Sequence, residues 1–127
     1  MSRRAVSTDK APKAIGPYSQ GIRAGNLLFV SGQIPLDPAS GGVVGTSIEE
    51  QTDRVLKNVL GVVEASGLKL TDVSRTTVFL KDINEFPKMN EVYAKFFGDH
   101  RPARSTVEVS NLPKGVKIEI DAIAVAG

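Results

Sequence analysis

The chain has 127 residues, 41% hydrophobic and 24% charged, and its 16 basic and 14 acidic side chains leave a formal charge of +2. That balance fits one ordinary globular domain and excludes both a disordered chain and a nucleic-acid binder argued from charge alone. There is no cysteine and His100 is the only histidine, so thiolate nucleophiles, disulfides and multi-histidine metal centres are excluded, no metal is expected, and any chemistry must run on Arg, Lys, Asp, Glu, Tyr, Ser, Thr or backbone groups.

The first ten residues, with Arg3, Arg4 and Lys10, are expected to be frayed and solvated. No apolar h-region follows them, and the longest apolar run, Ala122 to Ala126, is far below the ~20 residues of a membrane-spanning helix. A cytoplasmic location is expected, with Arg3 and Arg4 compatible with a mitochondrial transit segment. Residues 19–24 and Leu27 to Ser31 read as two strands joined at Ala24-Gly25-Asn26, and Pro35 to Gly45 as a surface loop. Ser47-Ile48-Glu49-Glu50 is a capping box, after which Ile48, Val55, Leu56, Val59, Leu60 and Val63 form one apolar stripe that stops at Gly67.

Val73 to Leu80, rich in Thr, Val and Phe, predicts a strand. A second helix is expected from about Glu85 to Phe97, with Asn84 as cap, Pro87 in its first turn, Met89, Val92, Tyr93 and Phe96 on its apolar stripe, and Gly98 ending it. Arg104 to Val109 and Lys117 to Val125 alternate as strands. The order predicts an α+β domain over residues 1–127, a mixed β-sheet with two α-helices packed on one face. In the last strand Ile118, Ile120, Ala122 and Ala124 make one apolar face, while Glu119, Asp121, Ile123 and Val125 make the other change from acidic to apolar. A half-and-half face calls for a partial cover, and with both helices on the opposite side a second copy of the chain is the expected one.

Arg104 opens a strand beside the rigid Arg101-Pro102-Ala103 segment, where its planar fork can hold a small carboxylate or pair with Glu108 or Glu119 in a surface network. Glu119 and Asp121 stand roughly 7 Å apart on one strand face, as an acid–base pair or as a solvated edge. Tyr18 follows the Gly16-Pro17 turn and can wall a pocket or pack on the core. Ser31-Gly32-Gln33 ends a strand, and its glycine allows a ligand or another strand to approach closely. His100 lies in a polar connection and is expected to be solvated.

Four motifs in register strengthen these candidates: Gly16-Pro17-Tyr18-Ser19-Gln20, Phe29-Val30-Ser31-Gly32-Gln33-Ile34-Pro35, Pro102-Ala103-Arg104-Ser105-Thr106 and Leu112 to Ile120. From about Ala11 to Ala126 the chain resembles the Rid family, the YjgF-like reactive-intermediate deaminases, and within it the RidA branch. The resemblance implies a chorismate-mutase-like protomer, a homotrimer with sites between subunits, and cofactor-free hydrolysis of 2-aminoacrylate, 2-iminobutanoate and similar enamines and imines released by pyridoxal-phosphate-dependent dehydratases. Carried over by residue, it implies that Arg104 grips the substrate carboxylate and Glu119 positions or activates water. Tyr18, Ser31, Gly32, Asn90 and Thr106 would line the substrate site. Many relatives carry cysteine where this chain has Thr106. Relatives described as ribonucleases or translation inhibitors imply an alternative, as does a non-catalytic metabolite-binding or chaperone-like trimer. The single histidine and seven aromatics, four of them on or near the second helix's core stripe, offer little to RNA.

Overall fold

The computed structural model describes residues 2–127. Six strands, β1 (Arg3–Val6), β2 (Gly21–Ala24), β3 (Leu27–Gln33), β4 (Val73–Leu80), β5 (Ala103–Glu108) and β6 (Ile118–Val125), form one sheet in the order β1-β2-β3-β6-β4-β5. Neighbours are antiparallel except β4 and β5, which run parallel. Helices α1 (Ile48–Ala65) and α2 (Phe86–Phe97) pack on one face. The fold is α+β, a mixed sheet covered by two helices on one side.

The capping box that starts α1 is formed in both directions. Ser47 Oγ accepts from the Glu50 amide at 3.1 Å, and Glu50 Oε1 accepts from the Ser47 and Thr46 amides. Those donors hold the Glu50 carboxyl below its ordinary pKa. The buried stripe of α1 is Ile48, Val55, Leu56, Val59, Val62 and Val63, with Leu60 only half-buried at its margin. Gly67, at φ +88°, ends the helix as expected.

The cap expected at Asn84 is not formed there: α2 follows Glu85, which makes no side-chain capping bond, and the side-chain cap sits on the turn before it. Asp82 accepts from the Asn84 amide at 2.9 Å and starts a short 3-10 turn over Ile83–Glu85, which leads directly into α2. Asn84 therefore supplies a backbone donor and Asp82 the acceptor.

The N-terminal segment is not frayed. Arg3–Val6 pairs with β2 as an edge strand, and Val6 and Ala11 are buried. Two features tie the segment down. The buried Gln20 amide donates to the carbonyls of Thr8, Ala11 and Pro12 and accepts from the Thr8 N–H. Gly61, buried in the middle of α1, leaves room for Lys10 to cross the helix: a β-carbon there would stand 2.9 Å from the Lys10 carbonyl carbon.

Candidate active site

Register assigns each candidate residue to a face of the sheet, because residues paired across strands point the same way. Thr76 on β4 is buried and pairs with Ala122 on one side and Arg104 on the other, so Arg104 points toward the helices. Phe79 pairs with Glu119 and Val107, which point to the uncovered face. Arg104 and Glu119 thus occupy opposite faces and are separated by two strand spacings, roughly 10 Å. One chain does not bring them together.

On the helix face the Arg104 guanidinium is held from three sides. Its Nη1 donates to Asn90 Oδ1 of α2 at 2.8 Å, and its central carbon lies 4.7 Å from the Tyr93 ring centroid and 5.3 Å from that of Phe86. A guanidinium stacks on aromatic faces because its plane is weakly hydrated and the ring quadrupole attracts its charge. Tyr93 is itself fixed: its hydroxyl and Thr76 Oγ1 share a buried hydrogen bond of 2.7 Å, and its ring packs 4.7 Å from that of Phe97. Burial pushes the Tyr93 phenol pKa up, despite the opposing effects of the Thr76 hydrogen bond and the Arg104 charge. Neither Glu108 nor Glu119 pairs with Arg104 among the described residues. Glu108 instead accepts from the Ile83 amide at 2.9 Å.

Thr106 is half-buried, and its Oγ1 has neither a hydrogen-bond partner nor solvent access in the chain as described. A cavity of about 340 Å³ opens beside Arg104 between α2 and the segment leading into β5.

The other candidates gather around an irregularity in β3. Val30 pairs with Ala122 and Gln33 with Ile120, so Ser31 and Gly32 together oppose Asp121 alone. This is a β-bulge, a device that re-aims side chains. Gly32 lets the Glu119 side chain fold over the bulge: a β-carbon on Gly32 would stand 2.9 Å from the Glu119 carboxyl carbon and closer still to Oε2. Burial raises the Glu119 pKa first, and the Asp121 charge adds to it. Ser31 uses its hydroxyl to donate to the Ser19 carbonyl at 2.5 Å, and its amide donates to the Gln20 carbonyl. It therefore fastens the Tyr18 turn to the bulge, and Tyr18 itself stands 53% exposed. The seven candidates form two groups: Asn90, Arg104 and Thr106 on the helix side, and Tyr18, Ser31, Gly32 and Glu119 around the bulge.

The open face keeps the mixed character expected of it. Phe29 and Val107 are each 44% exposed there, beside half-buried Ile123 and Phe79. His100 departs from expectation. Its Nε2 lies 2.6 Å from the Val73 carbonyl, which can only accept, so that nitrogen carries a proton and the ring ties the α2–β5 connection to β4. Sequence reasoning placed Tyr93 in the core stripe and missed its contact with Arg104, as it missed Phe86 and Thr76. The available signal was the i, i+3 spacing of Asn90 and Tyr93 on one helix face.

Among the described residues, no helix is long and apolar enough to cross a membrane, and no three His, Cys, Asp or Glu side chains cluster as metal ligands. The family model described as Endoribonuclease L-PSP matches residues 8–126. A RutC family protein of Pyrococcus abyssi is 55% identical over 124 residues, covering 98% of each chain. An Escherichia coli protein named 2-iminobutanoate/2-iminopropanoate deaminase is 50% identical over 125 residues, covering 96% of this chain and 97% of the relative. The crystal structure of E. coli TdcF with bound serine superposes with a TM-score of 0.94 at 45% identity, over 98% of this chain and 99% of that one.

Proposed function

The chain belongs to the endoribonuclease L-PSP family, the YjgF-like group its motifs resemble, and on that premise we propose that it hydrolyses enamines and imines of 2-keto acids, such as 2-aminoacrylate and 2-iminobutanoate, to the keto acid and ammonia. The observation that carries this reading is the fixed Arg104 guanidinium, held by Asn90 and stacked on Tyr93 and Phe86. An arginine already aligned on one side loses little freedom when its remaining N–H groups grip a carboxylate. The E. coli deaminase relative supports the reaction class, and the serine held by TdcF has the α-carboxylate that the proposal assigns to Arg104.

Arg104 and Glu119 lie on opposite faces of one sheet, so the complete site is proposed to form between copies in a homotrimer. Arg104, Asn90 and Thr106 of one copy would face the bulge of its neighbour, with Tyr18, Ser31, Gly32 and Glu119. The apolar part of the open face, Phe29, Ile123 and Val107, supplies area for such contacts.

The enamine first takes a proton from solvent on its terminal carbon and becomes the iminium ion, whose nitrogen carries two protons. Glu119 accepts a proton from water as the water oxygen bonds to C2 and the C=N π electrons move to a protonated nitrogen. The tetrahedral amino alcohol then receives that proton on nitrogen, the C–N bond breaks, ammonia leaves, and the hydroxyl passes its proton to solvent to give the keto acid. A raised pKa suits Glu119 to both halves of this exchange, because the carboxyl gives up its acquired proton to nitrogen readily only if it first binds that proton at working pH. Imine hydrolysis is intrinsically quick, so orientation by Arg104 and one acid–base group supply enough acceleration without a cofactor.

A pyridoxal-phosphate-dependent dehydratase generating the imine in situ tests the reading. Wild type should accelerate keto-acid release, and Arg104→Ala and Glu119→Gln should each lose most of that acceleration. Full activity in Arg104→Ala refutes the carboxylate grip. Sedimentation at micromolar concentration should give the mass of three chains, and a monomer mass refutes the shared site.

A further inference from the structure

We propose that the cavity beside Arg104 holds a second anion-binding position, built on Arg101, and that the preferred substrates include 2-imino dicarboxylates, in which a distal carboxylate meets Arg101 while Arg104 grips the α-carboxylate. The inference rests on the proposed function and narrows its substrate class.

Four observations point to it. The cavity is about 340 Å³ and is lined by both Arg101 and Arg104, with Tyr93, Phe97 and Pro102 as apolar walls. That volume accommodates a five-carbon diacid with room for water. No carboxylate lines it among the described residues; Asp99, the nearest acid in sequence to Arg101, is not part of the wall. The two guanidiniums differ in commitment. Arg104 is locked by its 2.8 Å bond to Asn90 and by its stacking on Tyr93, so it cannot turn to follow a second charge. Arg101 is exposed and makes no ion pair or side-chain hydrogen bond among the described residues, so all five of its donors are available. Finally, three residues of chain keep the α-carbons of the two arginines within roughly 10 Å, and Pro102 between them fixes one of the intervening backbone angles.

A monocarboxylate such as 2-iminobutanoate leaves Arg101 facing water. A diacid replaces that water with a charge-assisted contact beside apolar walls, where an ion pair is less screened than on an open surface. An arginine that stays half-hydrated contributes less than a buried one, so the expected preference is about five- to tenfold.

The test measures calorimetric binding of two stable keto-acid products, 2-oxoglutarate and 2-oxobutanoate, at low ionic strength. Wild type should bind 2-oxoglutarate about five- to tenfold more tightly, Arg101→Gln should bring the ratio close to one, and Arg101→Lys should keep part of it. Arg104→Ala should abolish binding of both, and thermal melting checks that each variant remains folded. A wild-type ratio near one, or a ratio that Arg101→Gln leaves unchanged, overturns the inference. Binding is read separately from turnover: a protein that shows the predicted ratio but releases no keto acid from either imine refutes the hydrolase reading and leaves the anion position standing.

Discussion

Gly32→Ala probes the proposed acid–base group without touching it. A β-carbon at residue 32 would stand 2.9 Å from the Glu119 carboxyl carbon and 3.2 Å from its γ-carbon, whereas non-bonded carbons rest at ~3.5–4.0 Å. The carboxyl group must therefore retreat by about 0.5–1 Å. Glu119 is half-buried on the open face and can swing toward solvent, so global stability should fall by less than about 1–2 kcal/mol, the lower range of overpacking costs. A misplacement of ~1 Å at a reacting group costs about a hundredfold in rate, or ~2.7 kcal/mol of transition-state stabilisation. The coupled imine-hydrolysis assay should show kcat reduced by about that factor with a far smaller change in KM, since Arg104 on the other face still grips the carboxylate. In a double variant with Glu119→Gln the two losses should not add, because both act through one carboxyl group. If Gly32→Ala keeps kcat within about twofold while remaining folded, Glu119 does not act from the position over the bulge. Fully additive losses would assign Gly32 a separate role.

Three further outcomes are expected. Tyr93→Phe keeps the ring under Arg104 but leaves the buried Thr76 hydroxyl without its 2.7 Å partner. Urea unfolding should show a loss of about 1–3 kcal/mol, largely recovered by adding Thr76→Val; no recovery would mean that the bond is not the cause. Gly61→Ala should destabilise by about 1–3 kcal/mol in the same assay, opposite to the ~1 kcal/mol gain that alanine normally brings to a helix interior, because its methyl group meets the Lys10 backbone. A stabilised variant would show that the N-terminal crossing is loose. The raised Glu119 pKa favours the folded state while the carboxyl is protonated, and this contribution is lost as pH rises from the ordinary value of 4.5 through the raised one. Glu119→Gln carries no such loss, so its melting temperature relative to wild type should climb between pH 4 and pH 7. A flat or falling difference contradicts the direction of the shift.

Local patterns made most of the elements legible. The Ser47 capping box, the stripe through Val55, Leu56, Val59 and Val63, and the alternation from Ile118 to Val125 each specify their structure within a few residues, and all three form as read. The N-terminal strand was not legible, because Arg3 and Arg4 keep exposed side chains and are ordered by backbone pairing with Arg23 and Ala24 of β2, while Gln20 and the gap at Gly61 hold the segment from Thr8 to Pro12 that follows. Gly61 was the sequence's one hint, a glycine inside an otherwise strong helix. His100 was misread for a similar reason: its partner, the Val73 carbonyl, is 27 positions distant.

By itself the sequence determined which chemistry is available, since the absence of cysteine and the single histidine are matters of composition, and it named Arg104 and Glu119 through motifs that survive without coordinates. Tertiary structure decided how those groups are arranged. Strand pairing sends Arg104 to the helix face and Glu119 to the open one, the bulge at Ser31 and Gly32 brings the Glu119 carboxyl over its backbone, and α2 supplies Tyr93, Phe86 and Asn90 around the guanidinium. Alternation along one strand can be read from that strand alone. Which face it shares with residues far away depends on register and bulges, which are set only when the sheet is assembled.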